Sequence, residues 1–242
     1  MTKDLTQGKI TPLLVKFTIP LLFGNIFQLM YNSVDSIIVG QLVGKEALAA
    51  VGTSNPLMTL AILFVNGMCI GASILMGTQY GAKKMDVLKR QISTTMIAGI
   101  VFSVAITLFC ILFAKPLLML IQVQEEVLPL AVSYLRIVFL GFIFTFIYNF
   151  FACTLRALGD STTPLYFLVF SSVLNIILDV VFIVPLHMGV AGAAWATILS
   201  QFLSAVLSLI VGLKKYPILH LRRGDFSRCP LCVSDSLPCR QL

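Results

Sequence analysis

Charge is what this sequence has least of. Only 11% of its 242 residues are Asp, Glu, Lys or Arg, against roughly 25% in a soluble globular domain. With 58% of residues hydrophobic, that scarcity excludes a soluble fold and marks an integral membrane protein. Histidine is scarce too: there are 2, with no His-x-x-x-His pair and no defensible Ser/His/Asp ordering. An enzyme is therefore not expected, nor is a resident cofactor or metal. Two acids inside apolar runs suggest an intramembrane aspartyl protease, whose carboxylates share a proton. The Tyr-Asp and Gly-x-Gly-Asp surroundings of such enzymes are missing, because Asp35 follows Val34 and Asp179 follows Leu178. A cleavable leader is not expected either. Met1 to Lys9 is polar, and the apolar run from Pro12 outlasts an h-region of about 7–15 residues. No glycine follows a strand signal or precedes a Lys-Ser/Thr pair, so none reads as a phosphate cradle.

Apolar runs fill the space that charge leaves. They cover about 12–40, 48–76, 92–114, 128–153, 164–186 and 189–213, each long enough for one helix when roughly 20 residues cross the hydrocarbon core. Of the 17 Lys and Arg, 14 fall at the two ends and in the even-numbered connections. Only Lys45 and Lys115 fall in the odd-numbered connections, and Arg136 lies within the fourth run. The positive-inside rule then gives an all-α, six-transmembrane-helix bundle with both termini cytoplasmic. The net charge of +7 orients the chain against anionic headgroups; no nucleic-acid partner is expected.

The costliest residues are Asp35 and Asp179, ionisable groups within hydrocarbon-spanning runs, where such groups mark a functional cavity or partner by default. Asp35 lies five residues before Gly40, Asp179 seven before Leu186, and Thr197 eight after Gly189. At about 1.5 Å per residue, all three sit roughly 8–12 Å beneath the outer boundary. Asn175 shares a helical face with Asp179, one turn deeper. Hard cations want several oxygens, and two adjacent carboxylates cannot both stay charged without a cation or a proton. The expectation is a cation or proton site made of Asp35, Asn175, Asp179 and Thr197. Pro20 removes a backbone donor in the first span, so a bend is expected there, fixed or acting as a hinge.

Other features carry structural expectations. Gly40-x-x-x-Gly44, Gly67-x-x-x-Gly71 and Gly77-x-x-x-Gly81 permit close helix packing. Residues 81–90 form a short basic cytoplasmic connector, and 115–126 read as a short interfacial helix outside. Arg156 is placed to cap its helix or pair with Asp160 in the Gly159-Asp160 turn. Arg136 is expected to snorkel outward, His187 to lie at the surface, and Cys69, Cys110 and Cys153 to act as small buried hydrophobes.

Several of these residues fall in recognisable motifs. Asn32-Ser33-Val34-Asp35-Ser36-Ile37-Ile38-Val39-Gly40 leads into Gly44-Lys45-Glu46-Ala47-Leu48-Ala49-Ala50-Val51-Gly52. Leu155-Arg156-Ala157-Leu158-Gly159-Asp160 precedes Pro164, and Ala191-Gly192-Ala193-Ala194-Trp195-Ala196-Thr197 lies in the sixth run. Together they resemble the MATE (multidrug and toxic compound extrusion) transporters, in the prokaryotic, DinF-related branch. The resemblance covers about residues 5–226, the N-terminal half of that family. It implies a secondary antiporter that expels organic, often cationic and amphipathic compounds in exchange for H+ or Na+. It also implies a multi-pass place in the inner (cytoplasmic) membrane. Carried over by position, Asp35, Asn175, Asp179 and Thr197 match the cation or proton site. Tyr31 and Asn149 match cavity residues that face substrate, and Pro20 matches a proline whose bend is linked to coupling.

The resemblance stops near Phe226. The chain divides into a cytoplasmic segment 1–11, the six-span lobe 12–213, a basic linker 214–226 and a divergent tail 227–242. The tail reads as a frameshifted or truncated end, with a small metal site on Cys229, Cys232, Cys239 and His220 as the weaker reading. A full transporter of this type pairs two related six-span lobes around its cavity. The expected partners are therefore small organic substrates, the bilayer and a second six-span lobe, either a missing C-terminal half or a second copy. An inert fragment is one alternative. A lipid-linked saccharide flippase is another, and the lack of deep Lys or Arg counts against it.

Overall fold

A computed structural model describes residues 10–216, and within them every regular element is a helix. The helices are α1 (Ile10–Leu42), α2 (Lys45–Gly81), α3 (Met85–Leu120), α4 (Leu128–Leu140), α5 (Phe142–Ala157), α6 (Thr162–Ile183) and α7 (Gly189–Lys215). Five are long and apolar enough to span a membrane, and α4 with α5 makes a sixth span bent by 48°. The architecture is the all-α bundle expected. The tail with Cys229, Cys232, Cys239 and His220 lies outside the described residues.

The fourth span differs from a straight helix, and Gly141 is the reason. A Cβ there would stand 2.6 Å from Ile198 Cγ1 on α7, so only glycine lets α7 come this close. The helix tightens across the break, with Gly141 N donating to Val138 O and Phe144 N to Gly141 O, both three residues apart. Such a local switch from four-residue to three-residue bonding is a usual cause of a sharp kink.

The expected interfacial helix at 115–126 is also absent as a separate element. Residues 115–120 continue α3 through Pro116, and the chain turns only at Ile121, with Gln122 at φ 60°. The helix carries on because Leu117 and Met119 carbonyls find donors in Ile121 and Gln122. Likewise α1 runs through Pro20 without a break.

α7 is the bundle's central post and packs on α6, α5 and α4. Gly192, Ala196, Ser200, Ser204, Ser208 and Gly212 recur every four residues and are all buried. A stripe of small residues lets neighbouring backbones approach where no hydrophobic force drives helices together. The glycine pairs behave less uniformly. A Cβ on Gly40 would come 3.2 Å from Leu48 Cδ2, whereas Gly67 and Gly71 have nothing within 4 Å. The Gly67/Gly71 pair therefore makes no helix contact among the described residues.

At the cytoplasmic end, Asp160 is tied to α7 rather than to Arg156. Its Oδ2 accepts from Lys215 Nζ at 2.6 Å, Thr163 Oγ1 at 2.6 Å and Tyr216 Oη at 2.9 Å. Its Oδ1 accepts from Thr162 N and Thr163 N at the start of α6, the role of a capping carboxylate. Burial alone would raise this carboxyl, but the bonds from Lys215, Thr163 and Tyr216 outweigh it and hold it well below the usual carboxylate range. Because the folded value is depressed, the stabilisation is complete above the unfolded value of about 3.9 and is lost as pH falls below it. The Lys215 side chain is 39% exposed, so the ion pair itself adds under about 1 kcal/mol. Most of the effect comes from the charge-assisted bonds. Asp160→Ala is expected to lower stability by about 1–3 kcal/mol at pH 7. Thermal unfolding in detergent checks this, and the gap from wild type should narrow as the pH falls below about 4.

Candidate functional site

Packing of α1 on α6 and of α6 on α7 brings three distant stretches of sequence together. Asp35 and Tyr31 come from α1, Asn175 and Asp179 from α6, and Thr197 from α7. Asp179 is 0% and Asn175 1% exposed. The Asp35 and Asp179 carboxyls stand within hydrogen-bonding reach of each other. Asp35 Oδ1 and Asp179 Oδ1 are both buried with no hydrogen-bond partner. A buried acceptor left unpaired costs about 1–3 kcal/mol or more when charged. Two such atoms on carboxyls within reach of each other therefore point to a positive occupant.

The amide of Asn175 fixes the rest of the site. Its hydrogen bonds are satisfied when Nδ2 faces the acids, an assignment made from the network. It then donates to Asp179 Oδ2 at 2.9 Å and to Tyr31 Oη at 3.1 Å, while Oδ1 accepts from Thr197 N at 3.2 Å. Thr197 Oγ1 donates to Ala193 O at 3.0 Å, which ties its side chain to its own helix. Four expected residues and Tyr31 thus form one continuous cluster.

Two expected residues stand apart. Asn149 Nδ2 donates to Thr145 O on its own helix at 2.8 Å and makes no hydrogen bond to the acids. Pro20 lies on α1 fifteen residues before Asp35, about 22 Å along the axis. The structure also adds a residue that the sequence does not flag. Tyr134 on α4 is 4% exposed and close enough to interact electrostatically with both Asp35 and Asp179. It lies six residues inside α4, about 9 Å deep, so the depth measure that selects the acids also fits it.

Against known proteins, the profile described as MatE matches residues 20–181. The chain belongs to the MatE family. It is 35% identical over 211 residues to the probable multidrug resistance protein YpnP of Bacillus subtilis, covering 87% of this chain and 47% of that protein. It is 24% identical to the multidrug export protein MepA of Staphylococcus saprophyticus, covering 86% and 46%. An outward-facing multidrug resistance MATE family transporter of the MOP superfamily superposes with a TM-score of 0.86 at 29% identity, over 95% of this chain and 51% of that one. The chain spans about half the length of the curated relatives it matches. Members of the MatE family are transporters, not enzymes. The matched stretch contains Pro20, Tyr31, Asp35, Asn149, Asn175 and Asp179, while Thr197 lies beyond it.

Proposed function

We propose that this chain is one lobe of a secondary antiporter in the inner membrane. It exports amphipathic organic compounds, often cationic, while an ion moves inward through the Asp35/Asp179 pair. The observation that carries this reading is the pair of buried, unpartnered carboxylate oxygens, Asp35 Oδ1 and Asp179 Oδ1. The second lobe is a separate C-terminal half or a second copy of the chain.

Of the two candidate ions, the site favours the proton. Asn175 spends its nitrogen on Asp179 and its oxygen on Thr197 N. Two carboxylate oxygens remain open, enough for a proton. A sodium ion wants more oxygen ligands than that and would need the amide to turn. When an ion or proton neutralises the pair, Asn175 Nδ2 loses an acceptor of full charge. α1 is then free to move relative to α6, and α1 carries much of the lobe's exposed apolar surface, including Phe23, Leu29 and Met30. Pro20, which leaves the Lys16 carbonyl without its helical donor, is where α1 bends most easily.

The test is efflux of a fluorescent cationic dye from vesicles containing the chain, under imposed proton or sodium gradients. The expected result is efflux driven by the proton gradient that stops when a protonophore dissipates it. Dye movement indifferent to both gradients would overturn the reading.

A further inference from the structure

A second cluster of charge lies between the outer ends of α3 and α4, and the antiport reading does not use it. Lys115 near the end of α3 and Arg136 on α4 line one open cavity of about 510 Å³, together with Ser133. Cations are rare on this side. Of the 17 Lys and Arg, only Lys45, Lys115 and Arg136 lie on or near it, and two of these three share the cavity.

Neither cation is spent on a carboxylate among the described residues. Among the described residues, neither Lys115 nor Arg136 forms an ion pair. Glu125 and Glu126, the acids on the turn before α4, are exposed and unpaired with them. Arg136 Nε donates to Ile111 O at 3.3 Å, beside the Leu112 carbonyl that Pro116 deprives of its helical donor. That bond fixes the guanidinium and leaves its terminal nitrogens for the cavity. The N-terminal turn of α4, with Leu128 and Pro129, adds the positive end of a helix dipole to the same space.

The depth and the lining identify the ligand class. Lys115 lies five residues below the end of α3 and Arg136 eight below the start of α4, about 8 and 12 Å along the axes. The Lys115 side chain is long enough to snorkel upward toward the headgroup level, while Arg136 is held at the level of Ile111 O. The other walls, Val132, Ile137, Leu128 and Pro129, are apolar and suit glycerol and the first acyl carbons. We infer that this cavity is a binding site for the phosphodiester headgroup of an anionic phospholipid of the outer leaflet. The phosphate sits between Lys115 Nζ and the Arg136 guanidinium, and Ser133 is within the lining to donate a further bond. A zwitterionic lipid fits less well because its own ammonium is brought toward two cations and a helix N-terminus.

Native mass spectrometry of the 242-residue chain, released from mixed micelles of phosphatidylglycerol and phosphatidylcholine, tests this. Wild type should retain phosphatidylglycerol in preference to phosphatidylcholine, and each of Lys115→Gln and Arg136→Gln should weaken retention about fivefold. Lys115→Arg should keep it, which holds even if a glutamine variant does not fold. Inorganic phosphate at millimolar concentration should not displace the lipid. Three results would overturn the inference: equal retention of both lipids by wild type, undiminished retention in folded glutamine variants, or full displacement by inorganic phosphate, which would assign the site to a free anion.

Discussion

Asp179→Asn is expected to abolish ion-driven dye efflux while leaving the bundle folded. The substitution is nearly isosteric, and the site's hydrogen-bond network tolerates it because Asp179 Oδ2 can be replaced by an amide oxygen facing Asn175 Nδ2. What disappears is charge at a fully buried position. A charge-assisted contact carries about 1.5–3 kcal/mol, so ion affinity should fall roughly tenfold to hundredfold. Asp35→Asn should act alike. The double variant should be no worse than either single one, because residues in direct contact do not contribute additively. Efflux rates of the three variants under one gradient check this, beside circular dichroism to establish that each is folded. Full efflux in a folded Asp179→Asn protein would contradict the proposed coupling.

The second large effect concerns packing. Gly99→Val is expected to destabilise the lobe by about 3 kcal/mol, the upper end of the usual cost of overfilling a core. A Cβ at Gly99 would overlap the edge of the Phe146 ring and come 2.8 Å from Met68 Cε. Met68 is flexible and can yield. Phe146 cannot, because it is 0% exposed and lies against Phe150 at 5.9 Å between ring centroids. Gly67 supplies the contrast, since nothing lies within 4 Å of a Cβ there. Gly67→Ala should therefore be neutral or stabilising, by up to about 1 kcal/mol through helix propensity. Unfolding in mixed micelles measures both, and equal behaviour of the two glycines would contradict the packing described.

The acid site is legible in the sequence because its members are expensive. A carboxylate in hydrocarbon needs a reason, and counting residues from each span's outer end is enough to put Asp35, Asp179 and Thr197 at one depth. Tyr134 escapes for the opposite reason: a tyrosine costs little in such a run, so nothing flags it although its depth fits. The break at Gly141 is hidden because glycine is common in membrane helices and the intruding Ile198 lies on another helix. Asp160 reads locally as a partner of the nearby Arg156, while its actual partner Lys215 lies 55 residues away. Local sequence offers no signal for a contact that only the packing of α7 on α6 creates. The family motifs in α1 and α7 reach further than composition can, because they tie the acids to one lobe of a known transporter architecture.

The claim at the centre is that Asp35 and Asp179 form a single site for one positive charge. It is tested most directly by adding a tight-binding cationic substrate to the purified chain in weak buffer and counting protons released with a pH indicator. The expected result is one proton per chain for wild type and none for either Asp35→Asn or Asp179→Asn. Full release persisting in either variant would show that the two carboxylates titrate independently and would contradict a shared site.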